Sequence, residues 1–315
     1  MVKVIITGSN GLLGQKLIYA LCKKNSVKKS YEIFACSRGE NRLLKKDNYA
    51  FVSLDISDAK DVEKVFSRVK PDFVIHTAAM TNVDACETDP EACRLNNIVA
   101  VENIVRTLEQ LQQQEEKYHP QLIHLSTDFI FDGKSGPYRE EDDPAPVSIY
   151  GHSKLQAEKI VQASALKWCI LRTIIVYGLV DGMSRSNLVL WAIEALKKGK
   201  PITVVNDQFR SPTLAEDLAE GCLLAMEKSA QGVYNISGSG LYSVLALVQL
   251  VAKEFQLNPS LIQPISSEQL KQPAKRPPKT GFHLEKAIRE LGYKPKSFEE
   301  GLKIFRLQLE EKGIV

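Results

Sequence analysis

Tyr150 and Lys154 stand four positions apart in IYGHSK (149–154). On a helix this spacing puts both side chains on one face. A phenol of ordinary pKa near ~10 beside an ammonium that favours its ionised form is a proton donor suited to carbonyl reduction. The same spacing also describes a solvated surface contact, so the pair needs support from the rest of the chain. Three other groups carry chemistry: Gly8, Gly11 and Gly14 in ITGSNGLLG (6–14), Ser126 and Thr127 closing QLIHLST (121–127), and Ser37 and Arg38 in CSRGENR (36–42).

The glycines follow a β-branched run and open a segment of helical spacing. Glycine there lets the backbone approach a pyrophosphate, and the helix N-terminus offers it free N–H groups. Their spacing departs by one residue from G-x-G-x-x-G, and a plain tight turn is the competing reading. At the end of the second strand, where an acid would bind the ribose hydroxyls of NAD, this chain has Ser37, Arg38 and Arg42. Arginine suits a 2′-phosphate, so the expected cofactor is NADP (NADPH), with NAD less favoured. Thr127, at the C-terminal end of a strand, is placed to donate a hydrogen bond to a reacting oxygen; a strand-end cap is the alternative.

Positioning these groups requires a scaffold. Runs of strand character at 2–7, 31–37, 49–56, 72–79, 121–127 and 168–178 alternate with helical segments at 13–24, 58–69, 89–111 and after 150. Strands separated by helices imply an α/β fold with a doubly wound parallel sheet. The expected division is a dinucleotide-binding Rossmann part over 1–170 and a smaller, irregular, mainly substrate-binding part over 171–315. Residues 171–178 and some later elements would complete the sheet.

At 315 residues, with 44% hydrophobic and 25% charged content, the composition is that of a globular protein with a sizeable core. The net charge of +3 comes from dispersed charges, which argues against nucleic acid as a partner. No run is long and uninterrupted enough for a membrane span. The six cysteines and five histidines show no metal-ligand spacing, so no metal is expected and the cysteines read as reduced packing residues in a cytoplasmic protein.

Many ordered motifs resemble one family. ITGSNGLLG, AAMTNVDACETDP, LNN, LSTDFIFDG, YGHSK, LRTIIVYG, VVNDQFRSPT, YNISG and RPPKTGFHLEKAIRELG together resemble the dTDP-4-dehydrorhamnose reductase family of extended short-chain dehydrogenases/reductases. The resemblance implies Thr127, Tyr150 and Lys154 as catalytic residues, with Lys154 also on the nicotinamide ribose. It implies a cofactor site of Gly8, Asn10, Gly11, Leu12, Leu13, Gly14, Ser37, Arg38, Asp55, Ile56, Ala78, Ala79 and Met80, and Asn96 in a supporting helix. Thr81, Asp128, Phe129, Ile175, Arg210 and Arg276 are the expected substrate contacts. The partner is then a nucleotide-diphosphate sugar, with a homodimer as the assembly to test.

The departures from the pattern are specific. Related dehydratases place a glutamate base where Phe129 stands, so dehydration lacks its base here. Rhamnose reductases typically show Tyr in place of Phe129, Trp in place of Ile175, Gly in place of Arg210 and Asp in place of His283. The expected activity is NADPH-dependent reduction of a nucleotide-linked 4-keto-6-deoxyhexose in deoxysugar or polysaccharide-precursor biosynthesis. Two rivals share the resemblance: a non-catalytic regulatory subunit of the methionine adenosyltransferase partner type, and an NAD-retaining sugar-nucleotide epimerase. The intact Thr127-Asp128 pair disfavours the first, and the arginines after the second strand disfavour the other.

Overall fold

Alternation within the first strand shows how the fold is built. In a computed structural model describing residues 1–182 and 186–314, Val4 and Ile6 of β1 (Val2–Thr7) enter one hydrophobic layer and Ile5 the other. A strand buried on both faces reads as a continuous β-branched run, as in parallel sheets covered by helices. The others are β2 (Tyr31–Ser37), β3 (Ala50–Ser53), β4 (Phe73–His76), β5 (Gln121–Thr127), β6 (Lys167–Thr173) and β7 (Gly232–Asn235). They form one seven-stranded sheet in the order β7-β6-β5-β4-β1-β2-β3, every pairing parallel. Helix α1 (Leu12–Val27) packs on the Val4 and Ile6 face, while α2 (Ala59–Val69), α5 (Ala100–Gln114) and α6 (Ile149–Ala163) cover the other.

From β1 the chain first runs outward to β2 and β3, then returns to β4 on the opposite side. That reversal opens a crevice at the carboxyl ends of β1 and β4, where open α/β sheets bind ligands. A third core, built by Val189, Ile193, Leu247, Val248, Phe298 and Phe305, holds the helices of the C-terminal part together. No helix among the described residues is long and apolar enough to cross a membrane.

Four elements differ from their sequence expectation. The apolar run 168–178 does not continue as one strand. It breaks after Thr173, because the backbone N–H of Thr213 takes the carbonyls of both Ile174 and Ile175 (3.2 and 3.1 Å). Ile175 sits there at a φ of +31°, unusual for a β-branched side chain. Val176–Tyr177 then pairs with Thr213–Leu214 in a separate small sheet. The helix expected over 89–111 is three pieces, α4 (Pro90–Arg94), a π turn at Leu95–Val99 and α5, preceded by the short α3 (Val83–Thr88). Residues 49–56 form a strand only over Ala50–Ser53, and residues 72–79 only over Phe73–His76.

Candidate active site

The crevice is a cleft of about 890 Å³. Gly8 turns the chain at its floor with a φ of +71°, and a Cβ there would lie 2.7 Å from the backbone nitrogen of Ala78. Only glycine permits this approach of the loop to the end of β4. Gly11 caps α1 without a side-chain hydrogen bond, and the first turn carries no acid. Free N–H groups with no competing carboxylate form a ready anion site. The Asn10 side chain orders the neighbouring loop, donating to the Glu40 carbonyl (2.8 Å) and accepting from the Arg42 N–H (3.0 Å). Ser37, Arg38 and Arg42 line the same end of the cleft, and Arg38 lies 3.9 Å from Asp55 with most of its side chain exposed. These residues fit a phosphorylated dinucleotide. Ile56, Ala78 and Ala79 line the cleft as well. Met80 and Asp55, by contrast, are not among the residues that line the cleft: the Met80 backbone is held by Asn97, and the Asp55 carboxylate accepts from the N–H and hydroxyl of Ser57 (2.9 and 2.7 Å).

Thr127 ends β5, and Tyr150 and Lys154 lie in the first turns of α6, which starts after the N-cap Ser148. All three are buried and line the cleft. Burial raises the pKa of Tyr150, and a hydrogen bond with Thr127 partly offsets the rise. Burial of the phenol thus works against the ionised form that a neighbouring ammonium would favour. Burial also lowers Lys154 to about 8, against the carboxylate of Glu158. The ammonium donates to the Leu125 carbonyl at 2.7 Å and lies 3.4 Å from His124 Nε2.

On the substrate side, Thr81, Asp128, Phe129, Ile175, Arg210 and Arg276 all line the cleft. Their charges are already engaged. Asp128 accepts from Thr127 (3.1 Å) and from Thr280, and lies 3.7 Å from Arg210. Burial raises the Asp128 pKa, while Arg210, Thr280 and Thr127 oppose it. Arg210 is only 1% exposed and donates to the carbonyls of Phe209, Pro277 and Pro278. It ties the 277–278 segment to the cleft wall. Arg276 likewise meets Asp84 in a two-point ion pair (3.1 and 2.7 Å).

Sequence reasoning missed several residues. Asn97, not its neighbour Asn96, clasps the Met80 backbone in both directions (2.7 and 3.1 Å) and donates to Ser153 of α6 at 3.0 Å. Asn96 lines the cleft and donates to the Ala92 carbonyl. The motif LNN marked the place, but the π turn decides which asparagine faces inward. Thr280 and His124 gave no local signal, since both owe their roles to contacts far along the chain. Among the described residues no group of three or more His, Cys, Asp or Glu gathers as a metal site, and the six cysteines are free.

Comparison with known proteins identifies the family. Residues 2–310 match the model of the RmlD substrate binding domain. The spore coat polysaccharide biosynthesis protein SpsK of Bacillus subtilis is 30% identical over 305 residues, covering 96% of each chain. Methionine adenosyltransferase 2 subunit beta of Xenopus tropicalis is 31% identical over 271 residues, 84% of this chain and 76% of that protein. The crystal structure of dTDP-4-dehydrorhamnose reductase from Bacillus anthracis in complex with NADP superposes with a TM-score of 0.80 at 28% identity, covering 98% of this chain and all of the other. With a Rossmann sheet, a glycine loop and the Thr, Tyr and Lys groups in one cleft, the chain belongs to the RmlD family of extended short-chain dehydrogenases/reductases, that of the dTDP-4-dehydrorhamnose reductases.

Proposed function

We propose that this protein is an NADPH-dependent reductase of a nucleotide-linked 4-keto-6-deoxyhexose. The observation that carries the reading is the convergence of Thr127, Tyr150 and Lys154 at the carboxyl end of β5, in the cleft whose other end is the glycine loop. Bound nicotinamide would supply the hydride. Everything else falls to the chain's own groups. A ketone oxygen gaining negative charge needs a proton delivered with it. Tyr150, kept protonated by burial, is the donor, and Thr127 orients and hydrogen-bonds the same oxygen. Lys154 holds a positive charge close by, and the apolar cover of Met80, Val83 and Ile149 around Phe129 and Tyr150 restricts water. Ser37, Arg38 and Arg42 favour a 2′-phosphate at the adenosine end.

The relatives named for methionine adenosyltransferase keep a second reading open, a regulatory binding subunit. The complete Thr, Tyr and Lys set favours the reductase. Following NADPH absorbance with a panel of dTDP- and UDP-linked 4-keto-6-deoxyhexoses tests it. Turnover with one of them supports the reading. No turnover with any, together with tight binding to a methionine adenosyltransferase catalytic subunit, overturns it.

A further inference from the structure

Beneath the cleft lies a buried line of polar side chains that the proposed reaction does not use. His124 of β5 is fully buried, and its Nε2 faces the Lys154 ammonium at 3.4 Å. Its ring stacks on that of His76 in β4, with centroids 5.4 Å apart and planes at 23°. His76 Nδ1 in turn lies 2.7 Å from the hydroxyl of Thr7, the residue immediately before Gly8. Thr77, beside His76, donates its hydroxyl to the Thr7 carbonyl at 2.7 Å. The two rings are therefore fixed between the strands that carry the glycine loop and the Thr127 end of β5.

We propose that His124 is a positioning residue for Lys154, accepting one of its three N–H donors and so aiming the ammonium into the cofactor end of the cleft. A lysine on four rotatable bonds is not located by a single hydrogen bond. Here one N–H goes to the Leu125 carbonyl at 2.7 Å and a second to His124 Nε2. With two donors pinned, the direction of the third is set, and it is the one left for a ligand. The other ring nitrogen supports the assignment. His124 Nδ1 is buried and has no hydrogen-bond partner. Such an unsatisfied buried group calls for an explanation, and the ammonium that Nε2 faces supplies one: turning Nε2 toward Lys154 leaves Nδ1 without a partner. Accepting at Nε2 requires the ring to be neutral with its proton on Nδ1. Burial and the Lys154 charge keep His124 well below its ordinary pKa, and the same causes push His76 down to about 3.

The inference rests on the reductase reading for its catalytic consequence, but its test does not need a sugar. His124→Leu keeps the bulk and removes the acceptor, whereas His124→Gln restores an acceptor near the Nε2 position. Titrating NADPH by its fluorescence, the Leu variant should bind roughly tenfold more weakly and the Gln variant within about threefold of wild type. If a substrate is in hand, kcat should follow the same order, with the alkaline limb of the Leu profile moved to lower pH. Equal behaviour of Leu and Gln, or wild-type binding by both, overturns the proposal. Should the Leu variant fail to fold, nitrogen NMR of histidine-labelled wild type decides the point. An unprotonated Nε2 on His124 at neutral pH supports the role, and a proton on that nitrogen ends it. Absence of turnover with every sugar would instead count against the reductase reading, leaving the NADPH and NMR results to stand alone.

Discussion

Phe129 meets Tyr150 edge to face, with ring centroids 5.6 Å apart and planes at 71°, while the guanidinium of Arg210 covers the Phe129 ring at 5.8 Å. The Phe129 ring thus lies between Tyr150 and the Arg210 guanidinium, at a position where rhamnose reductases typically carry a phenol. Ile175 on the same cleft wall is the second apolar departure. A pocket that has lost hydrogen-bonding and stacking groups discriminates less among similar sugars. Phe129→Tyr combined with Ile175→Trp should raise kcat/KM for dTDP-4-dehydrorhamnose, relative to competing 4-keto sugars, by about tenfold. Steady-state comparison across the panel checks it. If wild type already prefers that compound and the double variant changes nothing, the two positions do not set specificity.

The proton assignment makes a sharper demand. Tyr150→Phe removes one oxygen from a buried site that otherwise keeps its packing against Phe129, Cys86 and Cys93. Turnover should fall by at least about a hundredfold, the lower range for a lost general acid, while NADPH titrates with near wild-type affinity. Near-normal reduction by the variant would show that Tyr150 is not the donor.

Much of this site was legible in the sequence because its motifs are local. The glycine loop, Thr127 at a strand end and the Tyr150 and Lys154 spacing each lie within one turn or one strand junction, where residue type and backbone geometry are set together. What stayed hidden depends on distant contacts. That Arg210 is tied internally as well as lining the cleft follows from the carbonyls of Pro277 and Pro278, nearly seventy positions away. That Asn97 rather than Asn96 braces Met80 follows from a π turn that shifts the helix register. The break at Ile175 is imposed by Thr213, and a run of β-branched residues gives no sign of it. The first lesson of the Tyr150 and Lys154 pair was also incomplete. Helical spacing brings the side chains to one face, but the Leu125 carbonyl and burial decide where the ammonium points and which proton each group keeps.

Lys154 should also leave a mark on stability. Its folded pKa is about 8, against an ordinary value of 10.5. Between these values the unfolded chain binds more protons, so stability rises with pH across this window. Below pH 8 the folded protein carries the full penalty of a buried ammonium, about 3 kcal/mol for this shift. Lys154→Met has no such group. The stability of wild type relative to the variant should therefore increase from pH 7 to pH 10, and urea titrations of both proteins at the two pH values measure it. A difference that does not move with pH would mean that the lysine titrates at its ordinary value in the folded state. The same variant should lose both turnover and NADPH affinity, since Lys154 lines the cleft together with Thr127, Tyr150 and the glycine loop.

The choice between the two nicotinamide dinucleotides rests on the end of β2. Arg38 is mostly exposed and only loosely approached by Asp55 at 3.9 Å, so its guanidinium remains available to a phosphate, for which its planar fork of donors is well suited. Ser37 precedes it at the strand end, and Arg42 is held beside it through Asn10. Wild type should prefer NADPH over NADH. Arg38→Ala should cut that preference by about tenfold or more, the scale of one charge-assisted phosphate contact, mainly through KM for NADPH, with NADH kinetics little changed. Removing the guanidinium also frees the Asp55 carboxylate from its partner, which suits the unphosphorylated ribose and pushes the ratio the same way. The comparison needs kcat/KM for both cofactors in both proteins at one ionic strength, because a phosphate contact weakens with salt. If wild type uses the two cofactors equally and the substitution leaves the ratio unchanged, the 2′-phosphate does not bind at Arg38, and Asp55 becomes the residue to test as a ribose ligand for NAD.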